Sequence, residues 1–522
     1  MVAAKQDDTN PQAKRQIVTR SEGVTKSEKY LKKLCDRSFL SLWSYPGIFR
    51  DQGRRSGKGD GKEVADLLVV FENNVIIFSD KHIHFEKTEK IEVGWGRWFR
   101  TAVLKSAQQV WGAERWIKQF PKRLFLDKGC TVPFPIDVPD PTKATFHRVV
   151  VAHDASRVCR EYFAGGSGSL MLDSGVIGEE AHLKHPFVIG RMRSDRGYVH
   201  VFDDTSLDVV MSYLDTVSDF VAYLTKKEKL LTSEVHIRAA GEEELLAEYV
   251  KRLNSDGDHD FIIPKGTTDA VFGEGLWGRF LNSDERKAQA EANKISYQWD
   301  ALVEKFLHHM MSGTQYAFSH PEISEQEKSF RWLARENRTR RRMLAKGIIG
   351  LLEETPADFL ASRVMLPSRP GDPCYLFLLV PYDASHNEAE YRAARGYLLE
   401  SYLMVVKLHY PDAQHIVGIA TETLAREDYR SEDCLYLDAT DWNADLERLA
   451  RERKADLGIF VNVKTYAGRE QEYPTDKRKL VRAAVSRNSP CICGSGKRYK
   501  RCCGQGMHSK KKGKIFRKKV DP

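Results

Sequence analysis

The sequence has little of what a membrane or an oxidising compartment demands. In 522 residues no apolar run approaches the roughly 18 that a membrane-crossing helix needs. Met1 to Ser21 is polar and charged and carries no apolar segment, so no secretory leader is expected. Cysteine is sparse over most of the length: Cys35, Cys130, Cys159, Cys374 and Cys434 are scattered too widely for a disulfide framework. These absences together predict a cytoplasmic protein with no transmembrane segment. A phosphate loop is missing as well. The Gly-rich stretch from Asp51 to Lys62 has Gly53 and Gly57 too close together, and Gly59 stands where a Ser or Thr would bind magnesium.

What is present is unevenly distributed. Hydrophobic residues make up 41% of the chain, enough for globular folding, and the length suggests about three domains. The net charge of +9 belongs to one end. From Thr475 to Pro522 sixteen Lys/Arg face only Asp476 and Asp521, giving +14 there and −5 for the remainder. Such a tail suits phosphates or an anionic surface, or is simply a solvated end.

Four further cysteines close the chain in the segment Pro490-Cys491-Ile492-Cys493-Gly494-Ser495-Gly496-Lys497-Arg498-Tyr499-Lys500-Arg501-Cys502-Cys503-Gly504. Their spacing allows one tetrahedral Zn²⁺ with Cys491, Cys493, Cys502 and Cys503 as ligands. Because protein fills all four positions, the site would be structural. Thiolates around Zn²⁺ leave negative charge, which Lys497, Arg498, Lys500 and Arg501 would offset. The segment resembles the SEC-C motif found at the end of the translocation ATPase SecA. That resemblance implies a docking module for a protein, a ribosome or phospholipid, and implies no ATPase.

Nearer the start, Thr25 and Glu28 form a capping box ahead of Tyr30, Leu31, Leu34 and Cys35 at helical spacing. A turn is expected at Tyr45-Pro46-Gly47. Two apolar strands follow, Asp66–Phe71 and Val75–Ser79, joined by Glu72-Asn73-Asn74 as a hairpin. A helix is expected from about Gly96 to Phe120. Phosphodiester hydrolysis needs carboxylates to hold Mg²⁺ and a lysine to orient the attacking water. Glu63, Asp66 and Lys81 are spaced for this, with Asp66 opening the hairpin and Lys81 closing it.

This order of helix, acid, hairpin, lysine and helix resembles the PD-(D/E)xK nuclease superfamily, including its Mrr-like members. The resemblance implies a restriction-endonuclease-like mixed sheet with flanking helices, catalytic Mg²⁺, and DNA rather than RNA as substrate. The family's (D/E)-x-K triplet maps onto Ser79-Asp80-Lys81, so serine occupies the second acid's place. In a regular strand Asp80 faces away from Lys81. A bulge would turn Asp80 inward; alternatively Glu63 supplies the carboxylate. Gln108 and Gln109 match the helix position where such members carry a glutamine.

The expected layout is α/β: a disordered N-terminus (1–24), a nuclease-like domain (25–231), a charged helical region (232–365), a small α/β domain (366–470), a linker (471–485), the zinc motif (486–506) and a basic tail (507–522). In the helical region Arg338, Arg340, Arg341 and Arg342 make a dense cluster near Trp332, the pattern of a helix tracking nucleic-acid phosphates. A solvated face fits that cluster slightly better, because Glu336, Glu353 and Glu354 dilute the field. The leading expectation is a metal-dependent nuclease with a zinc docking module, and the alternative is a non-catalytic zinc-binding adaptor.

Overall fold

The computed structural model describes residues 17–474 apart from 56, 58, 318–319, 383–384, 386, 425–429, 462, 466–467 and 469, together with 498 and 501. Cys491, Cys493, Cys502 and Cys503, most of the linker and the basic tail lie outside the described residues, as does 1–16. The described cysteines Cys35, Cys130, Cys159, Cys374 and Cys434 are free thiols.

Helix α1 (Lys26–Phe39) starts where the capping box puts it: the Glu28 amide donates to Thr25 Oγ1, and Glu28 Oε2 accepts from the Thr25 amide. Its buried stripe of Leu31, Leu34, Cys35 and Phe39 packs on the sheet, while Tyr30 stays exposed and donates to Asp208. The chain before it is seated too. Val18 donates its amide to Met311, and Arg20 pairs with Asp36 and with the Ser44 carbonyl. Residues 17–24 are therefore attached to the body, unlike the disordered start expected from composition.

Strand β1 (Ser44–Arg50) runs through Tyr45-Pro46-Gly47, where a turn was expected, and pairs Pro46 with Leu67. Proline's missing N–H is tolerated because β1 is the outer strand. After the short helix α2 (Gln52–Arg55) come β2 (Lys62–Phe71) and β3 (Asn74–His82), antiparallel and joined by a tight turn with Glu72 at φ 52°. One long helical crossover follows, α3 (Ile91–Trp98), a π-helical segment Phe99–Leu104 and α4 (Lys105–Gln119). Strand β4 (Thr145–His153) then lies parallel to β3, with Val199–Phe202 parallel beyond it. The sheet order is β1-β2-β3-β4 and then Val199–Phe202. Phe39, Phe78 and Phe220 meet between α1, the sheet and the helix Val217–Leu231.

A second sheet, Met171–Ile177 with Val188–Arg191, His236–Ala239 and Asp269–Phe272, flanks this unit. The stretch Leu207–Leu231, expected as one helix, divides into Asp204–Tyr213 and Val217–Leu231. Helices fill most of 242–354. A third sheet, Ala361–Met365, Cys374–Val380, His415–Glu422 and Glu432–Asp438, carries the helices Glu388–His409 and Ala444–Leu457.

The cluster expected to track phosphates is buried. Arg338, Arg340, Arg341 and Arg342 are 6%, 7%, 1% and 0% exposed, so they present no surface to nucleic acid. Arg338 bonds Asp215 and Asp300, Arg340 the Leu366 carbonyl, and Arg341 Asp300 and the Glu336 carbonyl. Trp332 is stacked on His415 at 4.4 Å. These arginines are structural cations, held by groups such as Asp215, Asp300 and Glu470 that come from distant parts of the chain. Arg341→Ala, which leaves Asp300 with Arg338 alone and removes the donor to the Glu336 and Ala334 carbonyls, is expected to cost about 3 kcal/mol in denaturant unfolding. Arg342 also holds the final described segment, pairing Glu470 at 2.9 Å. Glu472 accepts from Gln289 and Thr339, and Tyr473 donates to the Val250 carbonyl. Glu470 to Tyr473 is thus strapped to the body.

Candidate functional site

The pairing of β2 with β3 stops at Leu67 and Phe78, and beyond that point the two strands part. Asp66 and Ser79 stand at the fork. Buried Asp66 uses one oxygen, Oδ2, to accept the Asp80 amide at 2.6 Å and the Ser79 hydroxyl at 3.2 Å, with Lys81 Nζ at 3.5 Å. Ser79 Oγ also lies 3.3 Å from Gln109 Oε1. A hydroxyl has one proton, so the consistent network turns the Gln109 amide to donate to Ser79, which donates to Asp66. Asp66, Ser79 and Lys81 therefore share the face of the sheet that α4 covers. Gln108, one residue earlier and about 100° around the helix, is exposed. The glutamine at the site is Gln109.

Asp80 takes the other face. The register of β3 with β4 runs unbroken from Asn74 to His82, so no bulge turns Asp80 toward Lys81. Its Oδ1 lies 2.6 Å from His153 Nε2, and His153 Nδ1 lies 2.5 Å from Asp204. Burial disfavours an imidazolium, but the carboxylates of Asp204 and Asp80 outweigh it and hold the His153 pKa up at about 10. Asp80 is thus committed to an acid–histidine–acid chain, buried at Asp80 and His153 and exposed at Asp204, and sequence reasoning missed His153 and Asp204. The one available signal was a histidine ending a strand parallel to β3.

Glu63 is a second carboxylate within the influence of Lys81. It pairs with Phe49 on β1, and its side chain comes under the influence of Asp66, Glu28 and Lys81. Loss of solvent, then repulsion by Asp66 and Glu28, pushes its pKa up to about 7 against the pull of Lys81. Burial likewise raises Asp66, opposed by Lys81 and by the Asp80 and Ser79 donors. The charge of Asp66 thus raises Glu63, and Lys81 lowers both acids. Mg²⁺ commonly takes one or two protein carboxylates and completes its shell with water and phosphate oxygens, so Glu63 and Asp66 fit it in number and type. Among the described residues no group of three or more His, Cys, Asp or Glu is placed to hold a metal.

Because the folded Glu63 keeps its proton to higher pH than the unfolded chain, it destabilises the fold as pH rises from about 4.5 through about 7. Carboxyl-detected NMR titration is expected to find its midpoint near 7, and Asp66→Asn is expected to move that midpoint down toward 4.5.

Among the described residues no helix is long and apolar enough to cross a membrane. No solved structure matches the chain. Protein translocase subunit SecA of Trichlorobacter lovleyi is 42% identical over 59 residues, which is 11% of this chain and 6% of that protein. The UPF0225 protein plu2503 of Photorhabdus laumondii is 62% identical over 24 residues, 5% of this chain and 15% of its own length. A second such protein, GSU1048 of Geobacter sulfurreducens, is 50% identical over 32 residues, 6% and 20% respectively. The chain thus spans a small fraction of each of these curated relatives. Residues 487–505 match the SEC-C motif family, so this chain is similar to SecA and the UPF0225 proteins through a SEC-C zinc-binding motif.

Proposed function

We propose that the chain is a metal-dependent nuclease, acting on DNA in preference to RNA, that carries a zinc-binding docking module at its C-terminal end. The observation behind the reading is the meeting of Lys81 with Asp66 at 3.5 Å where β2 and β3 part, with Glu63 beside them. Helix α1, the antiparallel run β1-β2-β3, the helical crossover and parallel β4 form the order expected of a restriction-endonuclease-like core, which supports it. Glu63 and Asp66 would hold Mg²⁺, which when bound polarises the phosphate and its attacking water. Lys81 orients that water and offsets charge as it develops. Gln109 and Ser79 keep Asp66 oriented. The test is cleavage of plasmid DNA and of RNA by purified protein with Mg²⁺ or Mn²⁺, beside Asp66→Ala and Lys81→Ala.

One observation favours a second reading. Ser79 stands where the family's second acid belongs and Asp80 is bound to His153, as in a fold that has given up catalysis. On that reading the body is a scaffold, and the SEC-C module docks a protein, a ribosome or an anionic surface. Equal behaviour of wild type and both variants in the cleavage assay would select it.

A further inference from the structure

With the arginines of 338–342 buried, the substrate of the proposed nuclease needs another surface, and a second cluster of guanidinium groups lies beside the acids. Arg50 ends β1, opposite Lys62 and one position beyond the Phe49–Glu63 pair. Its guanidinium lies over the Trp116 ring at 5.0 Å, and that of Arg123 lies over the same ring at 4.9 Å. Arg115 on α4 is close enough to Arg50 to work with burial against its charge. Arg123 and Arg55 share Asp51, at 2.7 and 3.0 Å. Asp51 thus takes two of these four arginines, and the buried Arg50 Nε has no hydrogen-bond partner among the described residues. A guanidinium stacked on an aromatic ring can still turn an N–H edge to a phosphate oxygen, although Arg123 already gives its Nε edge to Asp51.

The spacing along α4 ties this cluster to the acids. Gln109, which reaches Ser79, and Trp116 are seven residues apart and so lie on one stripe, about 10.5 Å from each other. Gly112 sits between them on that stripe, and a Cβ added there would meet nothing within 4 Å. One strand of a duplex carries a phosphate about every 3.4 Å of axis, so the interval spans about three phosphates.

We propose that the stripe Gln109-Gly112-Trp116 is the floor of a groove for the backbone of duplex DNA, with Arg50, Arg115 and Arg123 holding phosphates beyond the scissile bond. This rests on the nuclease reading for its orientation and on charge complementarity for its occupant. The full chain is titrated against a labelled duplex DNA in EDTA, so that no cleavage intervenes, and the salt dependence is recorded. Gly112→Glu, which enters open space, is expected to weaken binding at least about fivefold by placing a carboxylate on the phosphate path. Arg50→Gln with Arg115→Glu is expected to weaken it more than about tenfold and to reduce the salt slope by about two. The basic tail is identical in every variant and cannot produce these differences.

Unchanged affinity and slope in Gly112→Glu and in the double variant would overturn the groove. If Asp66→Ala then still abolishes cleavage, the nuclease reading survives without it. Weakened binding with no cleavage by wild type would keep the groove and remove the nuclease. Tighter groove-dependent binding of an RNA duplex than of DNA would overturn the assigned occupant.

Discussion

Cleavage of plasmid DNA in Mg²⁺ is expected to fall by about 10²–10³ in Lys81→Ala and at least as far in Asp66→Ala. Lys81 contributes charge at the point where the phosphate becomes more negative, and nothing else described at the fork carries that charge. Asp66 has two duties. Its carboxylate is one of two available to a cation, and its Oδ2 collects the Asp80 amide and the Ser79 hydroxyl. Removing it strands those donors, at about 1–3 kcal/mol. Asp66→Asn is therefore the cleaner comparison, since the amide oxygen still accepts while the charge is gone. Loss of cleavage in Asp66→Asn with an unchanged unfolding midpoint separates chemistry from folding. Retention of wild-type rates in all three variants would move any activity away from this fork.

The second large effect concerns the metal module. Cys502→Ser is expected to reduce zinc from about one ion per chain to near zero, read by metal analysis of the purified protein. A structural zinc site supplies an apparent 10–16 kcal/mol in peptides of this size, roughly, and loss of one thiolate removes much of it. The body should unfold at an unchanged midpoint, because its described sheets and helices end by Leu457 and its contacts with the following chain lie at Glu470 to Tyr473. Zinc stoichiometry equal to wild type would contradict the four-cysteine assignment.

How much of this was legible depended on the range of the interaction. The capping box of Thr25 and Glu28 closes within four residues, and the Glu72 turn needs only its neighbours, so both could be read locally. Pro46 in a strand could not be, because only the sheet order makes β1 an outer strand. The fate of Asp80 was decided by His153 and Asp204, which lie 73 and 124 residues away in sequence. The burial of Arg338 and Arg341 was likewise decided by Asp215 and Asp300. Local composition shows an arginine-rich helix but not the carboxylates that claim it. Choosing between Gln108 and Gln109 required the phase of α4, which one residue shifts by about 100°.

The strap at Glu470 to Tyr473 holds the chain to the body up to Pro474. From Pro474 to Cys491 the backbone has seventeen virtual bonds, which span at most about 60 Å when fully extended. Covalent geometry alone therefore keeps Cys491 within that distance of Pro474. A sphere of that radius corresponds to a local concentration on the order of millimolar for a single group inside it. Substitutions that free Glu472 or Tyr473 would enlarge that sphere without touching the fork at Asp66 or the four cysteines.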